Sequence, residues 1–184
     1  MKKHFLFLVL FTAAGILIKA QSTPLSADEI VKEACSQAGK EKKNVFIIFH
    51  ASWCVWCHRM DSSMNDPACK QFFENNYVIR HMVVDESKDK KQLENPGADE
   101  LRNKYGGKDQ GIPYWLILDA SGNLVFNSRI KSDKTGTDEL GDNSGCPATE
   151  NEVDYFIKAL KRTSNLSEAQ EAAIIKRFRE NDVQ

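Results

Sequence analysis

Proline and glycine are scarce, at five and ten residues in a chain of 184. That scarcity excludes collagen-like, linker-like and other low-complexity chains, and with 41% apolar and 28% charged residues a packed core is expected. Cysteine is too thin for a disulfide-held scaffold, and a count of five is odd, so not every thiol can pair internally. Charge of one sign is also lacking: 25 basic residues face 26 acidic ones, a net of −1, which favours neither nucleic acid nor an anionic membrane as partner. Beyond Gln21 no apolar run is long enough to cross a bilayer.

One apolar run does stand at the N-terminus. Lys2-Lys3-His4 precedes the uncharged stretch Phe5 to Ile18, which falls short of the ~20 residues of a membrane span and fits a secretory signal. Ala20 suits the last position of such a signal, whereas Ile18 is larger than the small residue expected two positions earlier, so an uncleaved N-terminal anchor is the alternative. The division is therefore a signal peptide over residues 1–20 and one domain over 21–184. Losing Lys2, Lys3 and Lys19 leaves 22 basic against 26 acidic residues, a net of −4. The expected location is an oxidising exported space, periplasmic or extracellular, with no membrane span after signal removal.

Ser26 and Glu29 form a capping box ahead of Ile30, Val31 and Ala34, predicting a helix to about Gly39. Asn44 to His50 (NVFIIFH) is short, continuously apolar and β-rich, the pattern of a strand buried on both faces. Helical signal resumes near Cys54, and Asp66-Pro67 predicts a restart or kink. Tyr77 to Asp85 reads as a second strand, Ala98 to Lys104 as a short helix, and Tyr114 to Phe126 as a hairpin turning at Ala120 to Asn123. Lys131 to Gly145 is polar and predicts an exposed loop. Capping boxes at Thr149/Glu152 and Ser167/Gln170 open two final helices. This order implies two parallel strands joined by a crossover, plus an antiparallel pair, in one mixed sheet covered by helices.

Chemistry concentrates in Phe49 to His58 (FHASWCVWCH), where Cys54 and Cys57 fall at the junction of a buried strand and a helix N-terminus. Unsatisfied N–H groups and the positive end of the helix dipole stabilise a thiolate, and such a site lowers a cysteine pKa from ~8.5 to ~3.5–7.5. Cys57 lies one turn further along, close enough to attack a mixed disulfide formed at Cys54, and is expected to be less exposed and less acidic. The pair needs no cofactor beyond its own dithiol and disulfide. His58, four residues after Cys54, shares its helical face and either adds positive charge or is simply solvated.

With these residues in place the chain resembles the thioredoxin superfamily: the strand VFIIF, the W-C-x-x-C of Trp53, Cys54 and Cys57, and Gly111-Ile112-Pro113 before the hairpin carry the likeness. The resemblance is to exported thioredoxin-like domains with a W-C-x-W-C motif. It implies a thioredoxin-like fold with an extra C-terminal helix and a cis-proline at Pro113 facing Cys54. It also implies substrate backbone bound beside Ile112 and Pro113, and Trp53 flanking the nucleophile. Two departures stand out. Ile48 occupies the position of the family's buried Asp, and Val55-Trp56 separates the cysteines in place of Gly-Pro.

The function expected is therefore exchange of disulfides with protein substrates through Cys54 and Cys57, with a membrane-bound electron donor as a candidate partner. A non-catalytic binding or chaperone module is the alternative. C-x-x-C-H also fits c-type haem attachment, a reading disfavoured because the motif sits between a sheet strand and a proline-opened hairpin. A single C-x-x-C leaves a tetrahedral zinc site half filled, so no metal is expected. Cys35, Cys69 and Cys146 are expected as buried thiols or one peripheral disulfide plus a free thiol, with Cys146 in a loop that the resemblance places near the active-site end of the sheet.

Overall fold

The computed structural model describes residues 23–131 and 140–182, so the signal assigned to residues 1–20 lies outside the described residues. Helix α1 (Ala27–Glu41) opens on the Ser26/Glu29 capping box and closes on Lys42 in the left-handed region. It turns Ala27, Ile30, Ala34 and Ala38 inward; these small residues at helical spacing let the helix lie close on the sheet. Strand β1 (Asn44–His50) follows at the predicted boundaries. It is one of two interior strands of a four-stranded sheet, parallel to β2 (Tyr77–Val83) on one side and antiparallel to β3 (Tyr114–Leu118) on the other. Strand β4 (Leu124–Asn127) completes the hairpin at the far edge.

The two-residue period of the strands divides the core. Phe46, Ile48, Trp115 and Ile117 face one layer, while Val45, Ile47, Phe49, Tyr114, Leu116 and Leu118 face the other. The first layer is covered by α2 (Val55–Met64), α3 (Lys70–Asn76), α5 (Glu150–Thr163) and α6 (Glu168–Arg179), and is rich in aromatics: Phe46, Phe73, Trp115, Phe156 and Phe178 are all fully buried. The second is covered by α1 and α4 (Ala98–Lys104). Burial on both faces explains why the central strands read as unbroken apolar runs.

Three expectations need correction. Asp66-Pro67 does not itself begin a helix: Asp66 Oδ1 accepts the Ala68 N–H at 2.9 Å, an Asx turn that absorbs Pro67, and α3 starts at Lys70 without a side-chain cap. Strand β2 ends at Val83; the Val84 N–H still donates to the His50 carbonyl at 2.9 Å, and the chain then turns away at Asp85, which takes a positive φ of 54°. The polar segment 131–145 is more than a loop, since β5 (Arg129–Lys131) and β6 (Leu140–Asn143) pair as a second small sheet. A Cβ on Gly141 would stand 1.9 Å from the Ile130 carbonyl oxygen, so that pairing requires glycine. A 3-10 helix over Lys88–Leu93, absent from the sequence reading, bridges β2 and α4.

Candidate active site

The end of β1 delivers the chain into a tight turn, with the Cys54 N–H donating to the Ala51 carbonyl at 3.1 Å, and α2 begins at once. Cys54 is the N-cap residue of α2, and its Sγ accepts the Cys57 backbone N–H at 3.1 Å, in the role a serine hydroxyl usually plays. Cys54 and Cys57 are joined in a disulfide, their Cα atoms 5.3 Å apart. Both are buried, at 3% and 1% exposure, so the anticipated difference in exposure is slight. What separates the two sulfurs is the cap: once reduced, Cys54 has a helix N–H aimed at it and the positive end of the dipole beneath it.

Ile112 and Pro113 come to the same place from the other side of the sheet. Their peptide bond is cis, and the Ile112 carbonyl oxygen lies 3.6 Å from Cys54 Sγ. Asn143 of β6 clamps this segment, donating through Nδ2 to the Gly111 and Pro113 carbonyls at 2.8 and 3.0 Å, while its backbone N–H donates to Gln110 Oε1 at 3.2 Å. Around the buried disulfide stand three exposed apolar side chains, Trp53, Val55 and Trp56. The Arg59 guanidinium sits 4.4 Å over the Trp56 ring, a cation–π contact.

The turn before Cys54 is held by residues after β2. Trp53 Nε1 donates to the Asp85 carbonyl at 2.8 Å, and Asp85 is in turn gripped by the buried Arg102. Gly107 permits that grip, because a Cβ there would fall 2.3 Å from Arg102 Cγ. Glu86, only 4% exposed, accepts the Ser52 backbone N–H at 2.6 Å and the Ser52 hydroxyl at 2.9 Å. Burial works to raise the Glu86 pKa, but these two hydrogen bonds and the nearby Lys90 ammonium outweigh it, leaving the carboxyl below its ordinary 4.5. A depressed folded-state value adds stability above the unfolded pKa and loses it as pH falls through the folded one. Glu86→Gln is therefore expected to lower unfolding stability by about 1–3 kcal/mol at pH 7. In urea titrations the gap from wild type should close as the pH drops below about 4.5. A gap that stays constant down to pH 3 would show that the Glu86 charge contributes nothing.

His58 does not reach the sulfur. Its Nε2 lies 3.3 Å from the Ser52 carbonyl oxygen, tying the ring to the turn. Ile48 is 1% exposed within the apolar layer beneath α2, so an aliphatic side chain stands where the resemblance places a buried carboxylate. Cys35, Cys69 and Cys146 are free thiols; burial pushes Cys69 up to about 11 and Cys146 to about 12. Among the described residues no group of three or more His, Cys, Asp or Glu is arranged to hold a metal ion, and no helix is long and apolar enough to cross a membrane. Asn143, Ser52, Asp85 and Glu86 were missed by the sequence reading; each lies in a loop or on a short strand and acts through hydrogen bonds that no local pattern encodes.

A strand-to-helix C-x-x-C disulfide facing an X-Pro segment, on a mixed sheet of order β2-β1-β3-β4, defines a thiol-disulfide oxidoreductase of the thioredoxin kind. The chain belongs to the thioredoxin-like family, whose model matches residues 27–120. Among solved structures it is similar to a disulphide isomerase from Xylella fastidiosa, with 16% identity, 92% of this chain and 98% of that one covered, and a TM-score of 0.48. It is also similar to the oxidised C-terminal domain of DsbD from Neisseria meningitidis, with 20% identity over 76% of this chain and 98% of that one and a TM-score of 0.42. Comparison with curated proteins finds no match.

Proposed function

We propose that the protein is an exported thiol-disulfide oxidoreductase that exchanges disulfides with protein substrates, with Cys54 as nucleophile and Cys57 as resolving thiol. The observation that carries this reading is the Cys57 N–H donated to Cys54 Sγ at the start of α2, with the Ile112 carbonyl oxygen only 3.6 Å from the same sulfur. In the reducing direction the Cys54 thiolate attacks one sulfur of a substrate disulfide and the other leaves as a thiolate, giving a mixed disulfide. Cys57, as thiolate, then attacks Cys54 Sγ; the Cys54–Cys57 disulfide forms and the second substrate sulfur departs. The dithiol supplies both electrons, so no further cofactor is needed. Run backwards, the same steps oxidise substrate. Trp53, Ile112 and Pro113 would bind substrate backbone beside the sulfur, in the manner of an added strand. Export is supported by the basic and apolar N-terminal segment Lys2 to Ile18.

The test is insulin reduction by wild type and Cys54→Ser, together with alkylation of the reduced protein at pH 5–6. Turnover lost in Cys54→Ser, with Cys54 labelled first and Cys69 and Cys146 unlabelled until unfolding, is the expected outcome. Unaltered turnover in Cys54→Ser, or labelling of Cys57 ahead of Cys54, would overturn the assignment. The direction of flow is read from the reduction potential of the pair, where a value near about −270 mV marks a reductant and one near about −120 mV an oxidant.

A further inference from the structure

Beside the disulfide lies a groove of about 570 Å3, bounded by Trp56 on α2, by Gln110 to Pro113, by Asp142 and Asn143 on β6, and by the segment leading into α5. It is continuous with the sulfur site, since Ile112 lines it and touches Cys54. Every charged side chain lining it is a carboxylate: Asp142, Glu152 and Asp182. Glu152 is fixed in place by accepting the Ala148 and Thr149 N–H groups on Oε2 at 3.1 and 2.9 Å. Asp182 is partly neutralised by Arg179 at 3.2 Å, and Asp142 has no ion pair among the described residues. Arg59 stands at the rim but is engaged on the Trp56 ring. An independent feature lies in the same wall. Ser144 lines the groove at 3% exposure, and its hydroxyl has no hydrogen-bond partner among the described residues. A buried hydroxyl left unmatched is uncommon in folded proteins, and here it adjoins a space large enough for a side chain.

We propose that this groove is a specificity subsite for a cationic side chain, so that the preferred substrates are disulfides in extended peptide segments carrying lysine or arginine near the reacting cysteine. The inference rests on the oxidoreductase reading and names its substrate class. With substrate backbone alongside Ile112 and Pro113, a neighbouring side chain falls into the groove. Its aliphatic stem packs against Trp56, and its charged head meets the carboxylates of Asp142 and Glu152. The Ser144 hydroxyl, able to donate or accept, offers a polar partner to either kind of head, so the sign of the charge is selected by the carboxylates. Glutamate in that place meets like charge on Asp142, Glu152 and Asp182, which is the repulsive half of the selection.

The test uses two disulfide-linked peptides, identical but for arginine or glutamate beside the cysteine, turned over by the reduced full domain at low and high salt. The arginine peptide is expected to react with a kcat/KM about five- to tenfold higher at low ionic strength, with most of that advantage lost at about 0.5 M salt. Asp142→Asn combined with Glu152→Gln, which keeps an acceptor for the α5 cap, should narrow the gap by slowing the arginine peptide and speeding the glutamate one. Equal rates for the two peptides, or a gap that the double variant leaves intact, would overturn the subsite while leaving the oxidoreductase reading standing. Failure of the wild type to reduce either peptide would overturn that reading and the subsite with it.

Discussion

Cys57→Ser is expected to turn the protein into a trap. Cys54 keeps its place at the N-cap of α2, and the donor that faces its sulfur is the backbone N–H of residue 57, which serine retains. Attack on a substrate disulfide therefore proceeds, but no thiol stands one turn away to release the product. Multiple turnover should fall by more than about a hundredfold, whereas the first attack should change little, because a step-specific group is lost and the binding surface is not. Non-reducing gels and intact mass would show one substrate chain attached per protein, released by dithiothreitol. Turnover persisting at a tenth or more of the wild-type rate would mean that resolution does not depend on Cys57. Cys146, buried and held at about 12, is poorly suited to replace it at neutral pH.

Ile48→Asp is the variant expected to cost most in stability. Ile48 sits mid-strand, paired with His81 and Trp115, and its side chain joins Phe46, Met60 and Trp115 in the aromatic layer. The substitution removes a buried aliphatic group and inserts a carboxyl with no partner in place, a loss of about 3–5 kcal/mol out of a usual total of 5–15. Burial raises the folded-state pKa of that new carboxyl above its unfolded value of about 3.9. The variant should thus be least compromised below that value and lose ground as pH rises through the folded one. Its resolution step should be faster than wild type, since a proton acceptor then lies beneath the redox helix. Urea midpoints at pH 4 and pH 8, with single-turnover release of substrate, test both halves. A midpoint unchanged at pH 8 would show that the site is hydrated, and an unchanged release rate that another group already takes the Cys57 proton.

Much of the fold was legible because its signals are local. Ser26/Glu29, Thr149/Glu152 and Ser167/Gln170 announced three helix starts, and all three capping boxes are formed. NVFIIFH gave β1 to the residue, since burial on both faces leaves no polar interruption to blur its ends. The C-x-x-C pair was legible for a related reason: its chemistry depends on a spacing of three along one helix. Pro113 became readable only through the resemblance. The supports of the site were not legible. Glu86 is one acid in a charged connection, and nothing near it in sequence points to Ser52, 34 positions away. Asn143 lies in a polar stretch that reads as loop, and its role arises from contacts with Gly111 and Pro113 about 30 positions distant. Asp66-Pro67 misled because an Asx turn and a helix cap share the same first residues.

The placement of Asn181 bears on how separable the domain is. Its amide donates to Ser63 of α2 at 3.0 Å and to the Pro147 carbonyl at 3.3 Å, while Phe156 and Phe178 fill the layer against Phe46 and Trp115. Pro147, Phe156 of α5, Phe178 of α6 and Asn181 all follow residue 120, where the family match ends. The portion bearing the recognisable motif is thus not an autonomous module: cut at that point, it would keep both redox cysteines and Pro113 yet bare the part of one sheet face that α5 and α6 cover. Grafting the reactive segment into another protein would require carrying the last two helices with it.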